Sequence, residues 1–111
     1  MSKEIALQRI QDCLETQATE LNLSNLQLTE LPETLAKCTQ LEVLNLYSNQ
    51  LTDVSPLSGL TQLTQLYLSD NQLMDVSPLA ELTGLKVLNL NDNQLMDVTQ
   101  LAHLTECNIY R

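Results

Sequence analysis

The segment "NQLMDV" occurs at 71–76 and again at 93–98, and a near copy, "NQLTDV", lies at 49–54. The copies are 22 residues apart each time. A fixed interval of this size constrains the fold more than any single motif does, because it marks coils stacked one on the next. Laid out on that interval, the units read "LEVLNLYSNQLTDVSPLSGLTQ" from Leu41, "LTQLYLSDNQLMDVSPLAELTG" from Leu63 and "LKVLNLNDNQLMDVTQLAHLTE" from Leu85. Eleven of the 22 positions are identical in all three, which leaves eleven free to differ. An earlier stretch, "ATELNLSNLQLTELPETLAKCTQ" from Ala18, fits the same frame with one extra residue. The chain therefore divides into a segment 1–17, four units at 18–40, 41–62, 63–84 and 85–106, and the start of an unfinished fifth at 107–111.

The shared positions have a physical reading. Alternation in "LNLY" and "LYLS" predicts a short strand, with Leu44 and Leu46, Leu66 and Leu68, and Leu88 and Leu90 pointing inward. Leu51, Leu73 and Leu95 enter the core after a bend, and Val54, Leu57, Leu60 and their equivalents close the far side. No single coil can bury its own apolar edge, so each depends on its neighbours.

The asparagine sits where the chain leaves the strand and its backbone polar groups lose regular partners. Such groups must be satisfied when buried. A carboxamide donates and accepts, so Asn49, Asn71 and Asn93 are expected to form a structural ladder between coils. Leu26 holds that slot in the first unit, so the ladder should begin with the second. Asp53, Asp75 and Asp97, with Glu30 as the first-unit equivalent, suit a tight turn. Ser55 and Ser77 are expected to cap it ahead of Pro56 and Pro78. Stacked carboxylates could instead recruit calcium. A calcium cage needs roughly six to eight oxygens from an acidic, glycine-bearing loop, and the spacing lacks one. Neither a metal nor a cofactor is expected.

Ser2 to Gln17 is expected to be a helix that covers the open end of the first coil. Ser2 would cap it, and Leu7, Ile10 and Leu14, flanked by Ala6 and Cys13, would face the coil. Lys3 and Arg9 are its only bases, against Glu4, Asp12 and Glu15, which disfavours a membrane-surface role. At the other end, Cys107 takes the first position of the fifth unit and no polar cap follows. That end is expected to be bare, covered by a second copy in self-association, or continued in a longer protein.

Charge and composition narrow the function. Fourteen acidic and five basic residues give a net charge of −9. That excludes a phosphate-binding surface for nucleic acid and docking on anionic lipid, and it favours a basic partner. Cys13, Cys38 and Cys107 are odd in number and far apart, so neither a disulfide framework nor a zinc site is expected. The first residues hold no long apolar run, so the expected location is the cytoplasm, without a signal peptide or membrane span. Two glycines and one histidine, His103, leave little from which to build a phosphate loop or a catalytic cluster, so no enzyme is expected.

The units share the pattern L-x-x-L-x-L-x-x-N-x-L, which resembles the leucine-rich repeat, over roughly residues 18–106. The "DVSPL" half is similar to the 22-residue class of internalins and of a phosphatase-regulating family. "LTELPETL" in the first unit is similar to a 23-residue bacterial type. The resemblance implies an α/β fold, a right-handed solenoid with a parallel β-sheet on its concave face and an N-terminal cap helix. It also implies non-catalytic protein–protein recognition. The candidate binding residues are then the strand residues that differ between units: Val43, Asn45, Tyr47, Gln65, Tyr67, Val87, Asn89 and Asn91. Tyr47 and Tyr67 should lie diagonally on neighbouring coils, and tyrosine is enriched at binding hot spots. The alternative is a ligand-sensing regulatory segment of a larger bacterial signalling enzyme, a GTPase or kinase.

Overall fold

A computed structural model describes residues 2–95 and 97–111. Among these, a helix α1 (Ser2–Thr16) is followed by five three-residue strands: β1 (Glu20–Asn22), β2 (Val43–Asn45), β3 (Gln65–Tyr67), β4 (Val87–Asn89) and β5 (Asn108–Tyr110). They form one parallel sheet in sequence order, β1 to β5. Short 3-10 turns at Glu33–Lys37, Ser55–Leu57, Ser77–Leu79 and Thr99–Leu101 make the opposite wall. The first is longer, which absorbs the extra residue of its unit. None of the described helices is long and apolar enough to cross a membrane.

Leucines fill the space between sheet and turns. Leu44, Leu66 and Leu88 form one stacked row and Leu46, Leu68 and Leu90 another, all buried. Leu51 and Leu73, Val54 and Val76, and Leu57 and Leu79 complete the wall without solvent exposure. At roughly 1.5–3 kcal/mol per fully buried leucine, this repeated burial is what holds so regular a chain together.

The helix covers the first coil, but with a different stripe from the expected one. Ala6, Ile10 and Cys13 are buried and Leu14 partly so, whereas Leu7 is 40% exposed. Its inward row therefore runs i, i+4, i+7 through the smaller residues. Arg9 Nη1 donates to Asn22 O at 2.9 Å and ties the helix to β1.

The turns also correct an expectation. Ser55 and Ser77 do not cap from the N-cap position; they begin the 3-10 turns, and the preceding Val54 and Val76 offer no side-chain cap. The acceptors are the aspartates two residues upstream. Asp53 Oδ1 accepts from Ser55 N–H, Asp75 Oδ1 from Ser77 N–H and Asp97 Oδ1 from Thr99 N–H, each at 2.9 Å. These bonds hold the carboxyls of Asp75 and Asp97 below their usual range. The repeated aspartate is thus accounted for by turn geometry.

At the C-terminal end the 22-residue interval slips by one. On a strict interval Tyr110 would follow Leu88 into the core. Instead Leu88 pairs with Ile109 and Asn89 with Tyr110, an offset of 21. A one-residue slip moves every side chain to the other face. Here it sends the isoleucine inward and leaves the phenol in the open, where its hydroxyl needs no buried partner. β5 covers Leu88 and Leu90, but Leu95, Val98, Cys107 and Ile109 remain only partly buried. Val98, Cys107 and Ile109 border a hollow of about 620 Å³ rimmed by Asp97 and Arg111.

Candidate protein-binding face

Each coil leaves its strand through one residue in the left-handed region: Asn25, Ser48, Asp70 and Asp92, with φ between 57 and 60°. Asparagine and aspartate tolerate this region better than other residues with a side chain. The chain then turns inward, and the next residue is the ladder asparagine, or Leu26 in the first coil.

The ladder side chains bridge coils. Asn49 Oδ1 accepts from the N–H groups of Leu26 and Leu28 at 3.1 and 3.0 Å, while its Nδ2 donates to Leu23 O and Leu46 O. Asn71 Oδ1 accepts from Leu51 N–H, and its Nδ2 donates to Leu46 O and Leu68 O, all at 3.0 Å. Asn93 repeats this with Leu73 N–H, Leu68 O and Leu90 O, but is only half-buried. Every rung joins its own coil to the one before.

With the leucines and asparagines turned inward, the other strand residues form an open face. The register aligns Glu20, Val43, Gln65, Val87 and Asn108 in one row, and Asn22, Asn45, Tyr67, Asn89 and Tyr110 in the next. Tyr47 and Asn91 lie two residues further along, past β2 and β4. Tyr47 is 45% exposed and Tyr110 51%, while Tyr67 is half-buried and donates its hydroxyl to Gln65 Oε1 at 2.7 Å. All eight candidate residues thus stand on one face of the sheet. Tyr110 joins them; its signal was the aromatic residue in the last strand, hidden by the slip in register.

Two candidates also have local work. Asn45 Oδ1 accepts from Tyr47 N–H at 2.9 Å, and Asn89 Oδ1 from Asn91 N–H at 3.1 Å, so both hold the strand's exit. A hollow of about 580 Å³ lies elsewhere, between Leu7 of α1 and the turns at Pro32 and Pro56. None of the open-face residues lines it. Recognition is better sought on the face that varies between otherwise constant units.

The three thiols are protonated and the histidine is hydrogen-bonded. Burial pushes up the thiols of Cys13, Cys38 and Cys107, Cys38 to about 11, so all three are protonated at neutral pH. Gln40 Nε2 donates to Cys13 O and Ala18 O at 3.3 and 3.1 Å, locking helix to coil. His103 Nε2 lies 2.7 Å from Ala80 O. A carbonyl can only accept, so that nitrogen carries the proton and joins one turn to the next.

Comparison with known proteins agrees with this architecture. A family model described as "Leucine rich repeat" matches residues 16–73, and a second, "Leucine Rich repeats (2 copies)", matches 61–103. No curated protein matches significantly. Among solved structures, an internalin from Listeria monocytogenes superposes with a TM-score of 0.84 at 32% identity, covering 96% of this chain and 35% of that one. Internalin C2 from the same organism gives 0.80 at 38% identity, covering 87% and 43%. The leucine-rich-repeat ectodomain of a receptor kinase from Arabidopsis thaliana gives 0.62 at 28%, covering 76% and 50%. The chain thus spans less than half the length of either internalin. In sequence, in coil geometry and in its structural relatives, this chain belongs to the leucine-rich repeat family.

Proposed function

We propose that this chain is a cytoplasmic, non-catalytic recognition module that binds a protein partner on the concave face of its sheet. One observation carries the reading. The chain has no Trp and no Phe, and its three tyrosines, Tyr47, Tyr67 and Tyr110, all stand on that open face rather than in the core. A fold that needs aromatics for packing would bury them; here leucine does most of the packing, with no aromatic residue among the buried ones described. Tyrosine on a rigid sheet gives large contact area at little conformational cost, as at binding hot spots. The three cysteines are free, which supports a compartment that keeps thiols reduced.

Affinity capture with the intact chain and with Tyr47→Ala/Tyr67→Ala tests this reading. The wild type retains a partner that the double variant loses, with both circular dichroism spectra alike. Equal retention by the folded double variant would move the site off this face.

A second reading is a ligand-sensing regulatory segment of a longer bacterial signalling protein. Two observations favour it: the chain covers under half of each internalin, and one structural relative is the ectodomain of a receptor kinase. In that reading the same face takes the ligand. The open edge of β5, with Leu95, Val98 and Ile109 partly exposed beside it, supports a separate contact with a second copy. Sedimentation velocity over a range of concentrations tests it: a constant monomer would end that idea.

A further inference from the structure

The open face is not uniform in charge. Glu20 and Glu42 stand at the entry to β1 and β2, on the first two coils. Asp70 and Asp92 stand past the exits of β3 and β4, on the third and fourth. The two acidic pairs occupy opposite corners, and Tyr47 and Tyr67 flank the diagonal between them, one on each side. Lys86 stands at a third corner, off that diagonal.

The aspartates are close neighbours. Asp70 N–H donates to Asn91 O at 2.9 Å, so their backbones are one strand spacing apart, and both side chains are exposed. Like charges at that spacing favour a cation between them. Beside Asp70 lies a polar hollow of about 440 Å³, bounded by Ser48, Gln50 and Gln72. It has room for a long side chain, and carboxylate and amide oxygens to receive its charge. Tyr47, next in sequence to Ser48, is exposed, and an aromatic ring can take a cation on its face.

Strands lie roughly 4.8 Å apart and rise about 3.3 Å per residue. The diagonal from the glutamate corner to the aspartate corner is therefore about 20 Å, the reach of six or seven residues of extended chain. We propose that the partner segment is an extended basic peptide lying along this diagonal. Two Lys or Arg side chains roughly six residues apart sit in the two acidic corners, and the middle of the peptide packs on Tyr47 and Tyr67. The proposal rests on the concave-face reading and adds the partner's chemistry to it.

Random linear peptides displayed on phage and panned against the intact chain supply the probe. Selected sequences are then made without tyrosine and titrated by tyrosine emission, whose sources are the three residues of this face. The expected peptides carry paired Lys or Arg near the stated spacing, and they bind less tightly as salt is raised. Asp70→Asn/Asp92→Asn weakens them by about tenfold or more. Asparagine keeps the left-handed backbone, so the fold stands. Tyr47→Ala/Tyr67→Ala abolishes their binding. Neutral or acidic peptides that need the tyrosines would overturn the basic segment and leave the concave site intact. Peptides indifferent to both double variants would overturn the concave site as well, and so would a selection that enriches nothing.

Discussion

The two faces of the sheet are made by the same strands and have opposite chemistry. On the inner face, Leu21, Leu44, Leu66 and Leu88 follow one another with at most 8% exposure, and only Ile109 departs from leucine. On the outer face the aligned row runs Asn22, Asn45, Tyr67, Asn89, Tyr110. Alternation makes the two sets independent: a change in one row need not disturb the other. The inner row fixes where each coil sits, and the outer row is free to differ. Repetition inside and variety outside are what a scaffold with a recognition surface requires.

That division is broken most severely from the inside. Leu66→Ala empties space in a fully buried row between two coils. It is expected to lower unfolding free energy by roughly 2–5 kcal/mol; denaturant unfolding showing a loss below about 1 kcal/mol would mean the coils relax around the gap. Asn71→Ala comes next, on the order of 1–3 kcal/mol, because it strands Leu51 N–H and takes one of the two asparagine donors from each of Leu46 O and Leu68 O. Asn93→Ala, on the half-buried rung, should cost clearly less. Equal losses at the two rungs would show that the ladder's value does not depend on burial.

These ranks are legible in the sequence because identity between units marks the inward positions. The slots of Leu66 and Asn71 repeat in all three 22-residue units, and one physical demand explains each repeat. Positions that occur once were harder to read. The helix offers Ile5, Ala6, Leu7, Ile10, Cys13 and Leu14, more apolar residues than one stripe needs. Periodicity favours the larger Leu7, whereas the contact with the first coil takes Ala6. Tyr110 falls outside the row expected from the interval because the register slips by one residue at β5. For the turns, serine and aspartate are both capping types, and only the backbone path shows that aspartate accepts and serine donates.

A smaller effect, read as a direction, concerns the interior thiols. The Cys13 and Cys38 thiols are held above their ordinary value of 9.0 by burial, Cys38 near 11. Above pH 9 the unfolded chain loses these protons while the folded chain keeps them, so the native state binds more protons. Stability should therefore hold to about pH 9 and fall as pH rises toward 11. Cys13→Ala/Cys38→Ala should flatten that fall, and an unchanged slope would assign it to other groups. The smallest stability effect belongs to the outer face. Tyr47→Ala with Tyr67→Ala should shift unfolding free energy by no more than about 0.5 kcal/mol each. A loss of several kcal/mol would show that the outer row also supports the fold.

The division of labour is tested most directly by following the two faces together as a partner is added. Ring resonances of Tyr47, Tyr67 and Tyr110 report one face, and leucine methyls of Leu44, Leu66 and Leu88 the other. In a nuclear magnetic resonance titration with the captured partner, the ring signals of Tyr47 and Tyr67 should shift with saturation while the inner methyls stay near their free positions. Shifts confined to α1 or to the 3-10 turns, with the tyrosine rings unmoved at saturation, would contradict recognition through this face.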